Sequence, residues 1–261
     1  MLKMLIKRKG RRTHTEDRHL ALVLATTAGI LNAMALGAFG FFPSHMSGNT
    51  SQLSSEVSNS DMGDVILLSA IIGAFVIGSA TSRLLAISGI KNNIRTIFSL
   101  ILLMEGVLLI LTSLFEIMFF SLQNNHEIIV FLSFLMGIHN STSTQLSNGR
   151  VRSTHITGTL TDAGISLSDV IATLLRRDPS KQIKAQRSQF ITHSVTIMSF
   201  LIGGITGLLL YKQFGFNSMT AVGIFIVVIS IGSITTTIWR AKRRAVSSAC
   251  YGWFGRRTRR V

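Results

Sequence analysis

The chain has 261 residues, 47% of them hydrophobic and only 14% charged, with a mean hydropathy of +0.46. A soluble domain carries about 25% charged residues, yet here 26 Lys and Arg outnumber 11 Asp and Glu and leave a net charge of +15. Two Pro and a single Cys (Cys250) exclude a disulfide scaffold and a Cys-rich metal domain, and basic residues set between long uncharged runs point to a membrane protein rather than a nucleic-acid binder.

Crossing about 30 Å of hydrocarbon takes roughly 20 apolar residues at the helical rise. After a basic tail (residues 1–19), six stretches meet that test: Leu20–Phe41, Asp64–Ser82, Ile94–Met118, Ile128–Ser147, Phe190–Tyr211 and Thr220–Trp239. A second basic tail follows (residues 240–261). The third stretch is the most apolar. The fourth is the weakest, since Ser133, His139 and Asn140 interrupt it. Span 1 is too long for the apolar region of a secretory signal, and is read as retained.

Basic residues cluster before span 1 and after spans 2, 4 and 6, and only Lys212 lies on the other side. By the positive-inside rule both termini are cytoplasmic. The tails Lys7–Arg12 and Lys242–Arg260 also suit anionic lipid, with Trp253 and Phe254 at the headgroups. Setting the topology would alone explain them.

The chain repeats itself. Span 1 holds Gly29-Ile30-Leu31-Asn32-Ala33 and is followed by Ser44-His45-Met46-Ser47-Gly48-Asn49-Thr50. Span 4 holds Gly137-Ile138-His139-Asn140-Ser141 and is followed by Thr154-His155-Ile156-Thr157-Gly158-Thr159. Three spans are an odd number, so residues 128–239 would sit upside down relative to residues 20–127. The predicted fold is therefore all-α and polytopic, six transmembrane helices in two inverted three-helix repeats. Many secondary transporters are built this way, although gene duplication alone also leaves such repeats. The orientation puts the His45 segment toward the exterior and the His155 segment toward the cytoplasm. The stretch after Gly48 is too polar to span alone. The stretch after Gly158 reads as a short amphipathic helix, with Thr159, Thr161 or Asp162 as N-cap. Both are expected to lie on the surface rather than to re-enter.

Asn32 and Asn140 lie mid-span, where an amide needs a partner, either a neighbouring helix or a ligand. His45 and His155, with Ser47, Gly48, Asn49, Thr157 and Gly158 beside them, could bind a solute or simply satisfy loop backbone. Glu105 sits mid-span, where ionisable groups tend to be functional. It either carries a proton, with His139 or His193 as relay, or stays protonated and bonds a neighbouring helix. Gly29, Ala33 and Gly37, the Gly203/Gly207 pair, and Ser69, Gly73 and Gly78 read as helix-packing faces. No HExxH, GxSxG, P-loop or dinucleotide fingerprint occurs, so neither an enzyme nor a cofactor or metal site is expected.

The paired strings resemble the YoaK family of bacterial membrane proteins, a family of unknown function. The matching residues are Gly29, Asn32, Ala33, His45 to Thr50, Gly137, Asn140 and Thr154 to Thr159. The resemblance runs from about Leu20 to Trp239. It departs at Asn32, where Asp is more usual, and at Ser47, where Thr is usual, and the first change weakens any proton-carrying role there. The resemblance implies a bacterial inner-membrane location and supplies no substrate. The expectation is transport of a small polar solute or ion through a site near the midplane between spans 1 and 4, lined by Asn32, Asn140 and the two His-x-(Ser/Thr)-Gly segments. The alternative is a non-transporting assembly protein whose GxxxG faces bind partners, and a homo-oligomer is compatible with either.

Overall fold

The computed structural model describes residues 5, 13–60, 62–119, 125–175 and 181–257. They form helices α1 (His14–Phe39), α2 (Met46–Asn59), α3 (Met62–Lys91), α4 (Ile97–Phe119), α5 (Asn125–Ser147), α6 (Ile156–Leu175), α7 (Lys181–Phe214) and α8 (Asn217–Arg257). Among the described residues there is no strand. The all-α expectation holds.

Among the described residues, five helices are long and apolar enough to cross a bilayer: His14–Phe39, Met62–Lys91, Ile97–Phe119, Ala185–Phe214 and Asn217–Ala241. Each corresponds to a stretch read from the sequence. The fourth of those stretches, now α5, does not reach that hydropathy. Its second half runs Ser141, Thr142, Ser143, Thr144, Gln145 and Ser147, and packing explains how such a helix is tolerated. α5 is covered by α3, α1 and α4. Its hydroxyls find partners there or on its own turns: Ser141 Oγ donates to the Ser79 carbonyl (3.0 Å), Thr142 Oγ1 meets Ser82 Oγ (3.0 Å) and Ser133 Oγ donates to the Ile129 carbonyl (2.8 Å). A helix walled in by protein needs less apolar surface than one facing lipid.

The burial pattern is that of a membrane protein. Ser99, Thr112, Ser113, Glu105, His139, Ser143 and Ser233 are buried, while Ile66, Val76, Leu111, Leu201, Ile202 and Val228 face outward. An apolar exterior of this extent suits a lipid bilayer as solvent. Thr13 caps α1 in a capping box with Glu16 (3.3 and 3.1 Å), and Asp17 pairs with Arg150 at 3.0 Å. That pair ties the start of α1 to the segment after α5.

Three helix pairs dominate: α1 with α7, α3 with α5, and α4 with α8. Small residues bring each pair together. A methyl group at Gly29 would strike the Phe200 carbonyl oxygen, and one at Gly203 the Thr26 carbonyl. The second pair repeats this: Gly137 faces the Phe75 carbonyl and Gly78 the Phe134 carbonyl. Between α4 and α8 the contact is reciprocal, since a Cβ at Gly106 or at Gly223 would lie 3.1 Å from the other's carbonyl oxygen. These close approaches are what small residues in membrane helices allow. The Gly203/Gly207 face is thus occupied by Thr26 and Ile30 of α1. It is not free for a partner, which removes the main support for the assembly alternative.

One local expectation is corrected. α6 begins at Ile156, so Thr159 and Thr161 lie inside it and bond the His155 and Thr157 carbonyls one turn back (2.9 and 3.1 Å) instead of capping it. α8 runs on past the sixth apolar stretch to Arg257. The connections after α1 and α5 fold inward toward Asn32 and Asn140.

Candidate functional site

Two turns shape the site. α1 runs seven residues past Asn32, about 10 Å at the helical rise, before Gly40 reverses the chain at φ 77°. Glycine adopts this left-handed conformation without a steric penalty. The chain then doubles back until Ser44 reaches Asn32. The Ser44 backbone N–H (3.2 Å) and hydroxyl (2.7 Å) both donate to Asn32 Oδ1. After α5, Gly149 at φ 84° makes a comparable reversal, and the Ser153 hydroxyl comes to 3.5 Å from Asn140 Oδ1. Ser153 is anchored further by Ser143, whose Oγ lies 3.1 Å from Ser153 Oγ.

From these returns α2 and α6 start, and their first turns meet in one cavity of about 660 Å³. Asn32, Ser44, His45, Met46 and Ser47 line it from one half, Asn140, Thr154, His155, Ile156 and Thr157 from the other. Phe42, Phe75 and Phe200 complete the wall. The two histidine segments are brought together at this one cavity. Each imidazole lies over its own glycine, so a Cβ at Gly48 or Gly158 would hit the His45 or His155 ring. Asn49 is turned away, its Nδ2 donating to the Phe42 carbonyl at 2.9 Å, and it braces the loop rather than lining the space. Arg152 reaches 3.4 Å from His155 Nδ1.

Glu105 and His139 form a second constellation beside the first. His139 Nδ1 and Glu105 Oε1 are 2.7 Å apart, and His139 Nε2 lies 2.9 Å from the Leu24 carbonyl. Both side chains are essentially inaccessible. Glu105 Oε2 has no hydrogen-bond partner and borders a small void of about 10 Å³, with Leu31, Pro43, Leu109 and Met136. Such a volume holds about one water. Of the two relay candidates, His139 is the one joined to Glu105. His193 is on α7 with Nδ1 unpartnered.

Sequence reasoning missed Ser44, Ser153, Phe75 and Phe200. A signal for the phenylalanines existed: both precede a packing glycine by three residues, as Phe75-Val76-Ile77-Gly78 and Phe200-Leu201-Ile202-Gly203. Among the described residues no group of three or more His, Cys, Asp or Glu is arranged to hold a metal ion.

A family model described as "Protein of unknown function (DUF1275)" matches residues 20–232. The match covers all the residues that line the cavity. No curated protein and no solved structure matches the chain.

Proposed function

This chain belongs to the DUF1275 family of proteins of unknown function, and we propose that it moves a small polar solute or ion across the bacterial inner membrane. The observation that carries this reading is the single cavity lined by Asn32, Asn140 and the starts of both α2 and α6. Substrate sites in many transporters lie where two inverted halves meet and where broken helices end. In this reading α5 also crosses the membrane, as the fourth of six spans, and both termini are cytoplasmic. The halves are related by inversion, and the matching contacts of Gly29 with Phe200 and Gly137 with Phe75 support that relation. Irregular backbone at membrane depth is tolerated where it lines a wet cavity, which suits the two returning segments. Glu105, joined to His139, is the proton-coupling group. Anionic lipids associate with the basic tails.

The test is uptake into proteoliposomes, read by osmotic swelling in urea, glycerol, glycine, sodium formate, sodium nitrate and potassium gluconate. Swelling in at least one of these should exceed that of empty vesicles. It should disappear in Ser47→Trp and Thr157→Trp, which fill the cavity from either half. Equal swelling with and without the protein in all six contradicts transport.

A further inference from the structure

The donors and acceptors around the cavity are unequally distributed. Ser44 uses its backbone N–H to reach Asn32 Oδ1, and an N–H can only donate, so the oxygen of this amide must face the loop. Its Nδ2 is left as the unused group of a side chain only 6% exposed that lines the cavity. Asn140 also lines the cavity, where its side chain lies 3.5 Å from the Ser153 hydroxyl of its own returning loop. At Asn32 the acceptor is thus taken by the chain's own loop, while the amide donor remains.

The backbone adds to this bias. α2 and α6 both begin at the cavity, and their first N–H groups have no intrahelical acceptor. His45 supplies no side-chain cap to α2. Two helix N-termini therefore direct partial positive charge at the same space. Arg152 adds a full charge near His155. No carboxylate lines the cavity.

We infer that the cavity takes a small monovalent anion, a short carboxylate, an inorganic oxyanion or a halide. This rests on the cavity being the solute site and narrows what that solute is. A cation there would face amide N–H groups and helix N-termini with no carboxylate to balance it. An anion finds each of them already oriented.

The test is thermal unfolding of the full-length protein in detergent. Sodium formate, nitrate and chloride are titrated into sodium gluconate at constant ionic strength, with potassium gluconate, ammonium gluconate and urea as counter-probes. At least one small anion should raise Tm saturably. Asn32→Asp keeps the acceptor for Ser44 while placing a carboxylate at the cavity wall, so it should remove the anion-dependent rise and leave Tm in gluconate within a few degrees. Asn140→Asp repeats the test from the other half, should Asn32→Asp fail to fold. A rise with potassium or ammonium that Asn32→Asp enlarges overturns the anion assignment and leaves the cavity as the solute site. A saturable rise with urea alone does the same. If no probe of any class shifts Tm, the anion assignment and the cavity as a solute site both fall. A shift with anions in a protein that fails the swelling assay retains the anion site and removes transport.

Discussion

His139 on α5 holds Glu105 on α4 at 2.7 Å while its other ring nitrogen lies 2.9 Å from the Leu24 carbonyl of α1, so one imidazole joins three helices. Removing one partner of a buried pair leaves the other desolvated without compensation, which costs about 3–5 kcal/mol. His139→Ala and Glu105→Ala are expected to lower stability by that order in reversible denaturation. Glu105→Leu with His139→Leu should cost clearly less than the sum of the two single leucine changes. Additive losses would show that the two side chains do not act as a pair.

The free Glu105 oxygen beside a water-sized void gives the proton-coupling proposal its own test. In proteoliposomes, a solute that the protein carries should enter faster when an inward proton gradient is imposed. Glu105→Gln preserves shape and most hydrogen bonding while removing the exchangeable charge. It should keep downhill entry and lose the acceleration. An unmodified protein indifferent to the gradient would assign Glu105 a purely structural role.

Helix spacing is set by the glycines whose missing Cβ leaves room for a neighbouring carbonyl. Gly29→Ala and Gly137→Ala must push α1 from α7 and α3 from α5, an overpacking cost of about 1–3 kcal/mol or more. Gly73 and Gly164 have open space where a methyl would go. Alanine there should be neutral, or stabilising by up to about 1 kcal/mol through helix propensity. The check is the Tm of the four variants measured side by side.

Asn32 should reveal its bracing role through chemistry rather than size. Asn32→Ala leaves the buried Ser44 N–H without an acceptor and should cost about 1–3 kcal/mol. Asn32→Asp retains the acceptor and should cost much less. A stability order with aspartate below alanine would contradict the bracing arrangement.

Much of this architecture is legible in the sequence because lipid imposes simple demands. Apolar length marks α1, α3, α4, α7 and α8, and the repeated strings mark Asn32 with Asn140 and His45 with His155. α5 is harder to read by hydropathy, since Ser141 to Ser147 are satisfied by α3 and by their own helix. The return of Ser44 to Asn32 is hidden for another reason: it depends on a left-handed Gly40 and on a contact between residues on opposite arms of a turn. Polar runs such as Ser47 to Ser55 also disguise α2. Within a helix their hydroxyls bond back to the preceding turn, as Thr50 does to Met46 at 2.7 Å. The role of Phe75 and Phe200 emerges only once Gly78 and Gly203 are seen to pack against α5 and α1.

If two inverted halves meet at the cavity, as proposed above, the far ends of α2 and α6 lie on opposite sides of the membrane. Ser58→Cys, near the end of α2, and Leu175→Cys, at the end of α6, are made singly in a Cys250→Ser background. Intact cells are treated with a membrane-impermeant maleimide, with permeabilised cells as control. Position 58 should react from outside and position 175 only after permeabilisation. Reaction of both from the same side would mean that the halves are not inverted, and would take the two-sided cavity with it.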